Sequence, residues 1–235
     1  MIPTKPACEM TPKELARYID QSVLKPEFTR EQIVQYIREG IDYGCATVCI
    51  NPSSLPIADQ MCRGTDTGIC VVCDFPFGLS TTASKCLQAE EYCSKYRIAE
   101  LDLVANYGWL RSGMYAEVTE DIRAVVEVCH RHGTAVKVII ETDSLTVEQI
   151  REGTRCAVAA GADFIKSSTG FYTGGQSVGA SLEVVAAMME AGEGKIKVKG
   201  SGCIRTREHF LKLIDMGIDR MGIGFASTPV VLGLK

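Results

Sequence analysis

The amino-acid sequence predicts an α/β protein closed as a (β/α)8 TIM barrel, one domain over residues 1–235. Three observations carry this expectation. Short apolar runs rich in β-branched residues alternate with helix-period stretches along the chain, the signature of βαβ units on a parallel sheet. Seven clear units and a plausible eighth fit the 235 residues as a compact barrel. The competing open doubly wound sheet wants a glycine fingerprint after an early strand; "VCINPSS" offers none, and no Walker A loop exists.

Taken in order, "YIDQSVL" (18–24) is the plausible eighth strand. A helix over 29–44 opens at a capping threonine and ends at glycine. Strands follow at 46–52 ("ATVCINP") and 68–78 ("GICVVCDFPFG"), then a helix at 82–96. The strand "AELDLVANYG" (99–108) leads to a helix at 115–133, and "TAVKVIIET" (134–142) to one at 145–161. "ADFIKSSTG" (162–170), "KIKVKGSG" (195–202) and "RMGIGFAS" (220–227) complete the strands, with helices at 179–192 and 206–217 between them. The ending "VVLGLK" leaves little for a last helix. No proline-rich linker or shift of composition divides the chain.

Hydrophobic residues make up 46%, enough for a sizeable core, and the net charge is -4 with no lysine–arginine stripe. That pattern speaks against nucleic acid as a partner. No apolar run approaches the ~18–20 residues of a membrane span, and "MIPTKPACEMTPKE" lacks the apolar segment of a signal peptide. The eleven cysteines are odd in number and scattered through apolar patterns, which suits reduced, buried thiols in the cytoplasm. The one CxxC, Cys70 to Cys73, lies on a strand, where positions three apart face opposite ways. No second pair or histidine cluster completes a metal site. His130, His132 and His209 support no nucleophilic triad, and proline after Asn51 rules out glycosylation there.

Parallel strands are covered on both faces and should be nearly continuously apolar. The exceptions are therefore informative. Asp102 shares a strand face with Glu100 and Asn106, Lys137 with Glu141, Lys166 with Ser168, and Lys199 with Lys195 and Lys197. Asp102, Lys166 and Lys199 are expected late in their strands, facing one barrel mouth. The structural alternative makes each an ion-pair partner, with Lys137 and Lys197 paired inside or snorkelling to the barrel ends. A cluster with more lysines than carboxylates has a chemical use, however. Lysine attacks a carbonyl only when neutral, and its reference pKa is about 10.4. Burial and a second ammonium both favour the neutral amine. A protonated imine then eases removal of a proton from the adjacent carbon, and an aspartate can shuttle it. This is the logic of a metal-free aldolase.

The stretches "ELDLVANYGWLRSGMY", "KVIIET", "AGADFIKSSTGF" and "VKGSGCIRT" resemble the core motifs of deoxyribose-phosphate aldolase. "YIDQSVLKP", "YGCATVCINPSSLPIA" and "FPFGLSTTASK" are similar to its earlier units, so the resemblance runs from about Ile19 to Gly224. It implies a barrel lyase that reversibly cleaves 2-deoxy-D-ribose 5-phosphate to glyceraldehyde 3-phosphate and acetaldehyde, without a cofactor. By motif, Lys166 forms the Schiff base, Lys199 lowers its pKa and relays protons, and Asp102 is the proton donor and acceptor through water. Asp20, Cys49, Lys137 and Thr169 are implied at the substrate. Gly170, Gly202, Cys203, Gly222 and Gly224 are implied as backbone holders of the phosphate, with Arg205 adding charge.

The partners implied are a small sugar phosphate and an aldehyde, with a homo-oligomer paired through outer helices as a further expectation. The departures from the family pattern are Cys203 for a second glycine, Ile223, Gly224 and Phe225 for small hydroxyl residues, Gln21 for histidine and Asp74 for glycine. Phe225 either blocks the phosphate or packs on the helix side. The alternatives are a related aldolase with an unphosphorylated acceptor, and a non-catalytic barrel that binds sugar phosphates.

Overall fold

The structure, a computed structural model, describes residues 3–235. Eight parallel strands pair in chain order: β1 (Ile19–Val23), β2 (Thr47–Ile50), β3 (Gly68–Cys73), β4 (Glu100–Val104), β5 (Ala135–Ile139), β6 (Phe164–Lys166), β7 (Lys197–Ser201) and β8 (Arg220–Gly224). β8 pairs with β1 and closes the barrel, as the alternating pattern predicts. The principal outer helices are α2 (Arg30–Tyr43), α3 (Leu55–Cys62), α4 (Thr82–Lys95), α6 (Tyr115–Arg131), α7 (Val147–Ala159), α8 (Leu182–Gly192) and α9 (Arg207–Asp215). Short helices α1 (Pro12–Ala16), α5 (Tyr107–Arg111) and α10 (Thr228–Leu232) fill the gaps.

Local chemistry fixes the helix ends. Thr29 accepts from the Gln32 amide while Gln32 reaches back to the Thr29 amide, and Thr146 with Gln149 repeats this capping box. Such caps satisfy amides that have no partner within the helix. Gly44 ends α2 at a left-handed φ of 75°, a conformation that glycine adopts without steric penalty.

The apolar core is a ring between strands and helices. Outward-facing Val48, Val71, Leu101, Leu103 and Val138 pack with Ile37, Val125 and Phe210 of the helices in one buried cluster. Each such side chain contributes roughly 1.5–3 kcal/mol by leaving water. Inside the barrel the apolar residues are few. Leu24, Cys49, Cys70 and Val72 form a small separate wall, joined by Phe75 and Phe171. The remaining interior is ionic.

Three details differ from the sequence expectation. The sequence reading names no helix between the strands at 46–52 and 68–78, but α3 lies there, with Pro56 in its first turn, where the missing amide is harmless. β6 has three residues, since the backbone leaves the sheet after Lys166. Asp102 and Lys199 sit in the middle of their strands, and only Lys166 is terminal. The charged cluster is therefore deep in the barrel, below the rim.

Candidate active site

Strand register sets the site. Asp102 is level with Lys137, Ile139 with Lys166, and Lys166 with Lys199. The stagger of a closed barrel brings these side chains from β4 to β7 round to one centre. Asp102 Oδ2 accepts from Lys166 Nζ at 2.7 Å and from Lys199 Nζ at 2.7 Å. The two ammonium nitrogens thus lie within two such bonds of each other. Asp102 Oδ1 accepts from Lys137 Nζ at 3.0 Å. Asp102 and Lys199 are fully buried, and Lys166 is 3% exposed.

A second aspartate holds the far side. Asp20 Oδ2 contacts Lys199 Nζ at 2.6 Å and Lys137 Nζ at 3.4 Å, ion pairs whose angles fall outside hydrogen-bond geometry. Its Oδ1 accepts from Arg220 at 2.6 Å, and Glu100 bridges Arg220, at 3.2 Å, and Lys137. Lys137, Arg220 and exposed Lys197 lie over the Phe164 ring at the barrel floor. Lys137 is thus an inner ion-pair member and Lys197 snorkels to the end, while Lys195 stands outside the strand and pairs with Glu193.

Electrostatics follow from this geometry. Burial pushes the Asp102 carboxyl up, but Lys137, Lys166 and Lys199 outweigh it and hold the group well below the carboxylate range. Asp20 is lowered in the same way, against its burial, by Lys137, Lys199 and Arg220. Burial pushes Lys199 and Lys137 down, yet Asp102 and Asp20 raise both above the ordinary lysine range. Both remain firm cations. The contacting cluster holds four cations (Lys137, Lys166, Lys199, Arg220) and three carboxylates (Asp20, Glu100, Asp102). Lys166 pairs with one carboxylate, Lys199 with two and Lys137 with three.

Cys49 and Cys70 line the same interior, directly opposite on β2 and β3. The Cys70 thiol donates to Asp102 Oδ1 at 3.1 Å, and Cys49 lies 3.8 Å from Oδ2. Cys73 faces outward onto α4, so the CxxC is split between faces as expected. Cys49, Cys70 and Asp102 come close enough to share a cation, as do Asp20, Cys70 and Glu100. Lys137 Nζ already sits among them, 3.4 Å from the Cys70 sulfur and 3.0 Å from Asp102, so an ammonium fills the role a metal would take.

Towards the mouth, Thr169 and Gly170 form the turn after Lys166, and Gly202 and Cys203 the turn after β7. Gly202 and Cys203 are consecutive left-handed residues, with φ of 80° and 60°. Gly222 lies deeper: a Cβ there would approach the Ser201 Cβ at 3.1 Å, closer than ordinary contact, so its missing side chain makes room for the neighbouring strand β7. Gly224 faces open space at the rim, and Arg205 is exposed beside α9. A cavity of about 400 Å³ opens beside the apolar wall, lined by Leu24, Asn51, Phe75 and Phe171 among others.

The departures from the family pattern have structural answers. Phe225 stacks on Tyr36 of α2 with ring centroids 3.9 Å apart and meets Phe28 edge-on at 5.4 Å, so it packs on the helix side. Ile223 is buried in the outer core. Gln21 also faces outward, donating to the Tyr36 carbonyl at 2.5 Å. Asp74 adopts a left-handed φ of 51°, which suits glycine; its carboxylate accepts from the Ser80 amide and hydroxyl. Sequence reading missed Arg220, Cys70 and Glu141 as members of the site. Arg220 starts a run read only for its apolar character, Cys70 reads only as half of a CxxC, and Glu141, noted beside Lys137, lies just past the end of β5.

A model of the DeoC/LacD family of aldolases matches residues 15–228. The chain is 42% identical over 213 residues to the deoxyribose-phosphate aldolase of Clostridium kluyveri, covering 91% of this chain and 95% of that one. It is 40% identical to the deoxyribose-phosphate aldolase of Staphylococcus carnosus, covering 94% and 97%. Among solved structures, the deoxyribose phosphate aldolase of Aeropyrum pernix, described as a unique tetramer, superposes with a TM-score of 0.84 at 26% identity over 95% of this chain and 91% of that one. The barrel, the buried lysine–aspartate cluster and these similarities agree, and the chain belongs to the DeoC/LacD family of aldolases.

Proposed function

We propose that the protein is a deoxyribose-phosphate aldolase that cleaves 2-deoxy-D-ribose 5-phosphate through a Schiff base on Lys166. One observation carries this reading: Lys166 and Lys199 share a single buried carboxylate oxygen of Asp102, inside a cluster with one more cation than carboxylates. Releasing that surplus proton from Lys166 breaks one ion pair, against two at Lys199 and three at Lys137. Lys166 is also the one member of the three with any exposure, at 3%.

The neutral Lys166 amine attacks C1 of the open-chain sugar, and loss of water gives the iminium. The C3 hydroxyl proton passes through water to Asp102. The C2–C3 bond breaks, its electron pair forms the enamine C1=C2 bond, and glyceraldehyde 3-phosphate leaves. C2 then takes a proton back, and water hydrolyses the imine to acetaldehyde and free Lys166. Lys199, held as a cation by Asp102 and Asp20, stabilises the negative charge that develops and relays protons. The Gly202–Cys203 turn, Gly170 and Gly224 offer backbone amides to the phosphate, with Arg205 adding charge.

Phe225 and Ile223 motivate an unphosphorylated acceptor only if they fill the phosphate position; the stacking of Phe225 on Tyr36 of α2 and the burial of Ile223 in the outer core support the phosphorylated substrate instead. An assay coupled to glyceraldehyde 3-phosphate should show turnover of deoxyribose 5-phosphate well above that of free deoxyribose. Equal rates would contradict the phosphate site, and no turnover would contradict the function.

A further inference from the structure

The Gly202–Cys203 turn, which offers its amides to the phosphate, is held from outside its own strand. Cys203 takes a left-handed φ of 60°, and a non-glycine residue keeps such a backbone only where its surroundings fix it. Those surroundings are the last residues before α8. The Ala180 amide donates to the Gly202 carbonyl at 3.1 Å, and the Cys203 thiol donates to the Ser177 carbonyl at 3.5 Å. Gly179, itself at φ 63°, lies so close that a Cβ on it would meet the Gly202 oxygen at 2.4 Å.

Residues 177–180 need a support of their own. They end an irregular stretch, exposed from 173 to 178 and carrying Gly174 and Gly175, and ordering such a chain costs conformational entropy. Asp143 supplies the support. It belongs to the short 3-10 turn Thr142–Ser144 after β5, and its Oδ1 accepts from the Val178 amide at 2.6 Å and from the Gly179 amide at 3.0 Å. Hydrogen bonds to a carboxylate are about twice as strong as neutral ones. The link thus runs from the loop after β5, through the end of the loop after β6, to the turn after β7. A carboxylate repels a phosphate, so Asp143 serves that end of the substrate through the backbone and not by touching it.

We propose that Asp143 is a positioning residue for the phosphate end of the substrate: it clamps residues 177–180 against the Gly202–Cys203 turn and so keeps the amides of that turn aimed at the anion. This rests on the aldolase reading and deepens it. Among the described residues, no hydrogen bond or ion pair joins the clamp to Lys166, Lys199 or Asp102. Breaking the clamp is therefore read in KM for the phosphorylated sugar and not in the lysine chemistry.

The test compares 2-deoxyribose 5-phosphate with free 2-deoxyribose by acetaldehyde release. Asp143→Ala should raise KM for the phosphorylated sugar roughly 10- to 100-fold, the value of hydrogen bonds to a charged group, with kcat within about twofold. On free deoxyribose its kcat/KM should match that of the parent. Asp143→Asn keeps an accepting oxygen and should restore KM to within about threefold of the parent. Gly179→Ala drives a methyl into the Gly202 oxygen and should give the same phosphate-selective loss with Asp143 intact. Equal losses on both sugars, or no loss on either, in Asp143→Ala or Gly179→Ala overturn the clamp, as does an Asp143→Asn variant no better than Asp143→Ala. A parent that turns over both sugars equally, or neither, defeats the deoxyribose-phosphate reading itself and the clamp with it. A parent that prefers the phosphorylated sugar, with that preference unchanged in Asp143→Ala, defeats the clamp alone.

Discussion

Asp102 illustrates how far a single residue could be read from sequence. Its polarity in an otherwise dry strand marks it, as it marks Lys166 and Lys199, because buried parallel strands tolerate few charges. The partners of each charge were not legible, since register around eight strands is not written in any local pattern. One expectation changes as a result. From sequence alone, Asp102→Asn should spare folding and remove only proton transfer. The structure gives Asp102 three ammonium partners, so the substitution strips the counter-ion from Lys137, Lys166 and Lys199 together. It should destabilise the fold by about 3–5 kcal/mol, the range for breaking a buried pair, besides lowering kcat by about 10²–10⁴. Urea denaturation beside steady-state kinetics checks both; a variant as stable as the parent contradicts the pairing. Lys199→Leu removes the surplus cation, so the acid limb of the pH–rate profile should move to higher pH and turnover should slow. An unchanged profile would refute a role for Lys199 in discharging its neighbour.

Elements carry two further expectations. α4 and α6 are pinned by fully buried Lys85, whose Nζ meets Asp121 Oδ2 at 2.6 Å and the Val104 carbonyl at 3.3 Å. Helix periodicity gave no hint of this pair, because one lysine on a helix usually reads as solvated. Lys85→Met should lower stability by about 3–5 kcal/mol by leaving Asp121 without its charge partner. Turnover per folded molecule should stay near normal, because the pair lies outside the barrel; thermal melts with active-site titration distinguish the two effects. The β7–α9 turn holds Cys203 at φ 60°, where a side chain costs about 1–2 kcal/mol. Cys203→Gly should therefore raise the melting temperature modestly, and a drop would show that the thiol contributes contacts outweighing the strain. The family resemblance marked this turn in the sequence, but only the dihedral angles explain why a glycine would suit the second position.

Over the molecule, the barrel was legible because strands and helices alternate with turn residues between them, and this periodicity survives without any alignment. Its interior was legible only as separate polar exceptions in dry strands, because the hydrophobic pattern reports the strand–helix core and does not say which charges pair at the centre. That centre has a pH signature. Asp20 and Asp102 are lowered in the folded state, so their contribution is present above the unfolded value of about 3.9 and is lost as pH falls through the lower folded value. Lys137 and Lys199 are raised, so theirs is complete below about 10.4 and is lost only as pH rises through a still higher value. These four groups should therefore contribute a constant stability from about pH 5 to about pH 9, with loss in acid. A melting temperature that fell across neutrality in step with their titration would contradict this.

The most direct measurement is peptide mapping after borohydride reduction in the presence of 2-deoxyribose 5-phosphate. The interior holds three buried lysines, and Lys166 has the fewest carboxylate partners, one against two for Lys199 and three for Lys137. A reduced two-carbon adduct on Lys166 alone is the expected result. An adduct on Lys199 or Lys137, or none on any of the three, would contradict it.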